Sequence, residues 1–363
     1  MHLRVLNVVC GTVLLTLLLF LFLYRGKFSF INPQKFYCRS DEVNLQRPKL
    51  PCGNLTEAIS LYRRCLLYFG AGNGNIFGQG AELSKIMYFC LWRAFDGSPD
   101  GSASEFKKPL ENYYLFDAAF KKFVQRKLGL VFLRNSDEEK ATLPFTSSTA
   151  PHDCVQVTVG IGNDIRAEQG LLKHYPNCRM YGADPLSVTG KIFEKIGRFF
   201  PMAVSSKTET ILSQVYDTKS YKTAAIKAVG LADFLQNFVK EPLVDFLWLD
   251  SEGSEWKILP LLTAGHERFN TTVICQINVE VHSSLVGGFL FFHAFEMDGV
   301  KFHKLMESLI RRSDFLPFHA WKVPSYNHWR LLLVNVEHRA CRRKFLGDKC
   351  SSQHTFHVAE NKN

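Results

Sequence analysis

Hydrophobic and polar positions along the chain change rhythm near residue 150. Beyond it, short apolar runs rich in β-branched residues alternate with segments of helical period. The runs predict strands at Val155–Val159, Met180–Ala183, Phe199–Val204, Val244–Leu249, Thr272–Val281 and Trp329–Val336. The helical period predicts helices at Arg166–Lys173, Ser187–Ile196, Leu231–Val239, Glu255–Leu262 and Val300–Arg311. Such alternation implies an open, mainly parallel sheet with helices on both faces. Its ligand then sits beyond the carboxyl ends of the strands, where the strand order reverses.

The first 150 residues follow other patterns. Val5 to Tyr24 carries no charge and as a helix is long enough to cross ~30 Å of hydrocarbon. No small-residue cleavage site follows it, so a retained transmembrane signal anchor is expected behind a short tail, 1–4. Residues 25–50, of mixed charge with Pro33 and Pro48, read as a stem. Residues 51–150 read as a mainly helical, cysteine-containing extension, closed by a polar stretch from Ser136 to Pro151. Its glycine clusters, Gly70–Gly74 and Gly78–Gly80, match no phosphate-loop motif and read as turns. The catalytic domain is expected at 151–340, followed by a basic, polar tail at 341–363. Arg339, Arg342, Arg343 and Lys344 read as a solvated face of that tail.

Composition narrows the setting. With 363 residues and 46% hydrophobic content the chain can fill a sizeable core. The net charge of +10 is spread out and not striped with aromatics, which argues against a nucleic-acid partner. Of ten cysteines, one (Cys10) lies in the apolar segment; the rest are Cys38, Cys52, Cys65, Cys90, Cys154, Cys178, Cys275, Cys341 and Cys350. They form no Cys-x-x-Cys pair and no zinc spacing with histidine, so no metal site is expected. Their odd number implies a free thiol, assigned to Cys275 inside a strand. Asn54-Leu-Thr56 and Asn270-Thr-Thr272 are glycosylation acceptors. Together these features predict a single-pass membrane glycoprotein of type II orientation, with its catalytic part in the lumen of the endoplasmic reticulum or Golgi.

Candidate chemistry gathers at three strand ends. Val155-Gln-Val-Thr-Val-Gly-Ile-Gly-Asn-Asp164 is a strand, a glycine turn and the start of a helix, which lets a backbone approach a ligand closely. The strict G-x-G-x-x-G is absent, because position 165 is Ile. Asp184, about 22 residues after Gly162, ends the second strand at an offset suited to gripping ribose hydroxyls. Asp250 ends an apolar strand, with Glu252 and Glu255 close behind it. Gln276, Asn278, Glu280 and His282 share one strand face by period two, either towards solvent or towards a reaction centre. His282 is the candidate general base, with Glu280 second.

These blocks resemble the FkbM-type S-adenosylmethionine-dependent methyltransferases, in particular a membrane-anchored animal branch, over about residues 150–340. The sharpest match is Leu249-Asp-Ser-Glu-Gly-Ser-Glu255, which looks like the family's Asp-x-Glu-Gly-x-Glu block. Val159-Gly-Ile-Gly-Asn-Asp164, Tyr181-Gly-Ala-Asp-Pro185, Phe200–Val204 and Leu231–Leu235 stand in family order. The resemblance implies a class I, Rossmann-like α/β methyltransferase sheet binding S-adenosylmethionine. Gly160 and Gly162 would lie beside the methionine part, Asp184 would hold the ribose, and Asp250 would lie near the sulfonium with Glu252. It also implies O-methylation of a small molecule or glycan; a hydroxyl acceptor benefits from a base that takes its proton, and by their own chemistry Asp250, Glu280 and His282 would form that catalytic group. The family's acid in the first strand is missing, replaced by Gln156 and Thr158, and Asp164 is the residue that could substitute for it. Two alternatives stay open: a non-catalytic binding protein on this fold, prompted by that missing acid, and a lumenal glycosyltransferase, for which no Asp-x-Asp is present. Phe289–Phe295 reads either as an apolar lid over the acceptor or as core.

Overall fold

The computed structural model describes residues 55–72, 80–96, 118–136, 138–146, 153–216, 221–263, 272–282, 291–323 and 328–347. Helices α1 (Leu55–Gly72), α2 (Gly80–Asp96) and α3 (Ala118–Leu128) lead into an antiparallel hairpin of β1 (Val131–Arg134) and β2 (Glu139–Thr142). Then come β3 (Val155–Val159), α4 (Arg166–His174), β4 (Arg179–Ala183), the helical turn α5 (Ser187–Gly190) and β5 (Arg198–Phe200). Strands β6 (Ala203–Ser205), β7 (Glu209–Tyr216) and β8 (Tyr221–Gly230) form a separate three-stranded sheet. The chain continues through α6 (Leu231–Asp233), β9 (Leu243–Leu249), α7 (Glu255–Ile258), β10 (Val273–Val281) and α8 (Phe291–Arg312). It ends its described course in β11 (Phe315–Val323), β12 (His328–Asn335) and the turn α9 (Arg339–Cys341).

The main sheet has seven strands in the order β11-β12-β10-β9-β3-β4-β5. Strand β12 runs antiparallel to both its neighbours, while β10, β9, β3, β4 and β5 are parallel. From β3 the chain moves outward through β4 and β5, then crosses to β9 and β10 on the other side. The reversal of strand order therefore falls between β3 and β9, which leaves a crevice beyond their carboxyl ends. Strand β3 is buried along its whole length, and β9 and β10 beyond their first residues. Strands so apolar must be covered on both faces. Helices α1 and α2 pack on β11, where Tyr62 meets Phe318 edge to face at 5.8 Å and Tyr88 Oη lies 2.6 Å from His319 Nδ1. Leu55 and Leu346 belong to one buried apolar cluster, so the N-terminal helices and the sheet share a core.

Several expectations change. The strand expected at Phe199–Val204 breaks into β5 and β6, which join different sheets. Pro201 lies between them, and without an N–H it cannot continue a ladder. The β7–β8 hairpin and strand β11 were not expected; Pro317 interrupts the apolar pattern of β11, and the register with β12 shifts there. Cys275 is not a free thiol, because it is bonded to Cys341. Those positions stand 66 apart in sequence, and only the docking of α9 against β10 brings their Cα atoms to 5.0 Å. Cys65–Cys90 and Cys154–Cys178 form two further disulfides. Lys344 is no solvated tail residue: its Nζ lies 2.9 Å from Oδ1 of the fully buried Asp245. Among the described residues no helix is long and apolar enough to cross a membrane. The expected anchor at 5–24, the stem, both asparagines of the glycosylation acceptors and the side chains of Phe289–Phe295 lie outside the described residues.

The Asp245–Lys344 pair gives a test. Burial pushes the Asp245 carboxyl up to about 6, against the pull of Lys344. A folded value above the unfolded one means its contribution is complete below the ordinary carboxylate range and fades as pH rises through about 6. Lys344→Met leaves the carboxylate without its counter-charge, and breaking a buried pair costs about 3 kcal/mol or more. Thermal unfolding should show that loss well above neutrality and a smaller one in mild acid, where Asp245 takes up a proton. Equal destabilisation at both would refute the assignment.

Candidate active site

At the end of β3 the chain turns through Gly160 (φ +82°), Gly162 (φ +60°) and Asn163 (φ +67°), a left-handed path that favours glycine. The two glycines answer different demands. A Cβ on Gly160 would sit 1.7 Å from the Asp250 carbonyl oxygen, so its lack of a side chain lets β3 and β9 meet. A Cβ on Gly162 would meet nothing within 4 Å, so this position faces open space. Asp184, at the end of β4, braces the turn. Its Oδ2 accepts hydrogen bonds from Ile161 N at 3.0 Å and Gly162 N at 3.2 Å. Its Oδ1 accepts from Leu186 N at 2.9 Å and Thr189 Oγ1 at 3.1 Å.

The turn floors a cavity of about 660 Å³. Its walls come from the ends of β3, β4 and β9, from β6, and from the turn of the β1–β2 hairpin. Gly160, Gly162, Asp164, Asp184, Asp250 and Glu252 all line it, so residues expected from three separate sequence blocks meet in one place. The lining contains six carboxylates (Glu138, Asp164, Glu168, Asp184, Asp250, Glu252) against two cations, Lys140 and Arg166. Arg166 is taken by Asp164, at 2.6 Å, and Ser136 donates to the same carboxylate through N at 2.8 Å and Oγ at 2.9 Å. These bonds, Arg166 first, hold Asp164 well below the usual carboxylate range. Lys140 is paired with Glu138; burial opposes its charge, but Glu138, Asp250 and Glu168 outweigh it and keep the ammonium intact.

Asp164 is thus committed to the hairpin side, and a different acid stands against the first strand. Glu168, one turn into α4 and 1% exposed, accepts a hydrogen bond from Thr158 Oγ1 at 2.9 Å. Gln156 Nε2 in turn donates to Thr158 Oγ1 at 2.6 Å. The two polar residues that replace the expected strand acid therefore present a carboxyl borrowed from the helix. Its second oxygen, Oε2, is buried with no hydrogen-bond partner. Burial pushes this group up to about 7, with Lys140 pulling the other way.

The second cluster lies where β9 and β10 end. The polar face of β10 is buried, not solvent-facing. Gln276 brackets the Leu143 backbone at 2.8 and 2.9 Å and Asn278 holds the Ala141 carbonyl at 3.0 Å, fastening the segment around β2 to the sheet. Glu280 and His282, further along, reach the rim. Glu280 accepts from Arg330 Nε at 2.7 Å and lies 2.8 Å from His328 Nδ1, and these partners overcome burial to hold it at about 2. His282 sits among three carboxylates: Nδ1 lies 3.3 Å from Glu255 Oε1, and Nε2 lies 3.4 Å from Asp250 and 3.5 Å from Glu252. Burial alone would depress the imidazole, but Glu255, Asp250 and Glu252 overcome it and hold the ring well above its ordinary value. In that state the ring donates and does not accept a proton. Glu255 is itself pinned by Ser251 N at 2.6 Å and Gly253 N at 2.8 Å.

Sequence reading did not single out Glu168, Lys140, Glu138, His328 or Arg330. A signal existed for Glu168, an acid beside Ala167 and Leu171 on the buried face of a short amphipathic helix. The others come from the hairpin and β12, far away in sequence, and carried none. Likewise, linear spacing gave no metal cluster, yet the fold brings together sets of His, Asp and Glu whose ligand atoms lie within 4.8 Å.

The methyltransferase FkbM domain matches residues 119–340 of the chain. No curated protein matches its sequence. Among solved structures, a 16S rRNA (adenine(1408)-N(1))-methyltransferase from Catenulisporales acidiphilia is 13% identical, with TM-score 0.26 over 58% of this chain and 100% of that one. The mitomycin 7-O-methyltransferase MmcR is 10% identical, with TM-score 0.26 over 69% of this chain and 72% of that one.

Glu168 yields a prediction that needs no ligand. Its folded value of about 7 lies above the ordinary 4.5, so its stabilising contribution is complete below about 4.5 and is lost as pH rises through about 7. Glu168→Gln keeps the shape and removes the titration. Melting temperatures of variant and wild type should therefore diverge above neutrality, with the variant the more stable, and the gap should shrink in acid. Parallel curves across that range would show that Glu168 is not held as described.

Proposed function

The chain belongs to the methyltransferase FkbM family, and from that premise we propose that it transfers a methyl group from S-adenosylmethionine to a hydroxyl oxygen of a glycan or other lumenal acceptor. The observation that carries this reading is the charge of the cavity, six carboxylates against two cations. S-adenosylmethionine is a net cation with a sulfonium and an ammonium, which suits such walls. A nucleotide sugar brings a diphosphate that the same walls repel.

The residues fit the cofactor. Glu168, with an unpartnered buried oxygen, would receive the ammonium, and Gly162 leaves open space beside it. Asp184, whose two oxygens already accept four hydrogen bonds, would brace the turn beside the ribose, and Asp164 fixes the opposite wall. Asp250 and Glu252 stand at the reacting end. When bound, S-adenosylmethionine supplies an activated methyl group. What remains for the chain is to place the acceptor hydroxyl and take its proton. Asp250 orients, and His282 is the group within reach of it. A cation entering the cavity loosens the carboxylates' hold on the imidazolium and lowers its proton affinity towards the range of a useful base. Glu280 aligns His328, whose ring lies 4.4 Å from that of His282.

The non-catalytic alternative was prompted by a missing strand acid, and the Glu168 carboxyl removes that motive. Three disulfides among the described residues favour an oxidising compartment. With the apolar segment Val5–Tyr24 they support a lumenal catalytic part on a membrane anchor of type II orientation.

Calorimetry of the purified full chain should show S-adenosylmethionine binding and no binding of UDP- or GDP-sugars. Gly162→Ala places a methyl group in the open space and should weaken binding about tenfold, roughly 1.4 kcal/mol. Binding of nucleotide sugars alone would overturn the proposal. Asp250→Asn should fold and lose at least about tenfold of methyl transfer to any verified acceptor. Full turnover in that variant would move the reacting end elsewhere on the rim.

A further inference from the structure

Hydrogen-bond donors are scarce where the cavity meets the glycine turn. Gly160 N is spent on Ala183 O, Ile161 N and Gly162 N on Asp184, and Asp164 N on Ile161 O. Thr189 Oγ1 donates to Asp184, and Ser136 Oγ to Asp164. Of the two cations in the lining, Arg166 is engaged by Asp164 through both Nε and Nη2. Lys140 is the other, and it is buried.

An ammonium has three N–H donors, and the contact with Glu138 Oε1 occupies one of them. Lys140 also stands near Glu168. Each acts on the other's charge, and Lys140 is the strongest pull against the burial that lifts Glu168. Even so, the ammonium is bonded to Glu138, and Glu168 Oε2 is left buried with no hydrogen-bond partner. Both side chains line the cavity. A donor-rich cation and an acceptor thus face one space without closing on each other. An α-amino acid carries its ammonium and its carboxylate on a single carbon, so one such group meets both demands with charge-assisted hydrogen bonds.

We propose that Lys140 and Glu168 clamp the α-amino-acid end of the cofactor, Lys140 receiving its carboxylate and Glu168 its ammonium. The clamp rests on S-adenosylmethionine being the ligand, and it adds the group that accepts that ligand's one negative charge. Six carboxylates in the lining would otherwise repel it. Lys140 belongs to β2, before the strand, turn and helix that carry Gly162 and Glu168, so the cofactor site extends into the N-terminal hairpin. Reading both charges selects a cofactor with an intact amino-acid end over nucleosides that share only its adenosine part.

Calorimetry of the purified full chain should compare three ligands. They are S-adenosylmethionine, its decarboxylated form, which keeps the sulfonium and the ammonium, and 5′-methylthioadenosine, which has neither charge nor amino-acid end. Lys140→Met is expected to weaken S-adenosylmethionine by about tenfold or more, and to leave the decarboxylated form bound as tightly as before or more tightly. Glu168→Gln should weaken both ammonium-bearing ligands and spare 5′-methylthioadenosine. Should Lys140→Met fail to fold, Lys140→Gln, which keeps a donor for Glu138, carries the same comparison. Equal loss of the ligands with and without a carboxylate, or no loss of either, overturns the clamp alone. A wild type that binds none of the three overturns the cofactor reading and the clamp with it.

Discussion

Strands β3 and β9 approach so closely at their carboxyl ends that any side chain on Gly160 would strike the Asp250 carbonyl group, 1.7 Å from its oxygen. The rest of the site depends on that contact. It sets the strand that ends in the glycine turn directly beside the strand that ends in Asp250. Asp250 N donates to the Val159 carbonyl at 2.9 Å and Gly160 N to the Ala183 carbonyl at 2.8 Å, so the three strand ends are laced together in register. Because the strand order reverses between β3 and β9, no following element fills the space above them. A pocket at this point follows from topology, and its position is fixed by one missing Cβ.

Charge decides what the pocket is for. Burying carboxylates is costly unless they are paired or hydrogen-bonded, and most at this site are. Asp184 spends its oxygens on backbone and hydroxyl donors, Asp164 on Arg166, and Glu280 on Arg330 and His328. Those pairings fix geometry. Glu168 keeps one oxygen without a hydrogen-bond partner at one end, and at the other Asp250 and Glu252 face His282 at 3.4 and 3.5 Å. A cavity with carboxyl groups at both ends is suited to an elongated cationic ligand, and the polar row of β10 is what positions the second end.

The N-terminal extension is part of this machinery. Its hairpin supplies Glu138 and Lys140 to the wall and covers the polar face of β10, where Gln276 and Asn278 hold it. Glu138 of that hairpin brings its carboxylate within 4.8 Å of those of Asp250 and Glu280, so the cover reaches the rim. Helices α1 and α2 in turn cover edge strand β11, and the Cys65–Cys90 bond joins them. Cover for the sheet and walls for the site come from the same segment.

The sequence alone determined the elements that local chemistry specifies. The apolar runs of β3, β4, β9, β10 and β12, the glycine turn, and the acids at the tips of β4 and β9 were all legible, because strand period and turn chemistry act over a few residues. Strand β11 and the β7–β8 hairpin were not, the first because Pro317 breaks its pattern, the second because its polar alternation carries little burial signal. Partnerships were decided only by the tertiary structure. Cys275 reads as a free thiol until α9 brings Cys341 beside it, and Lys344 reads as solvated until Asp245 is found beneath it. Asp164 and Glu168 lie four residues apart in one acidic-looking stretch, yet one faces Arg166 and the other Thr158. His282 is a plausible base in the sequence and a cation among three carboxylates in the fold. Charge and burial are set by neighbours distant along the chain, and no local pattern encodes which neighbours those are.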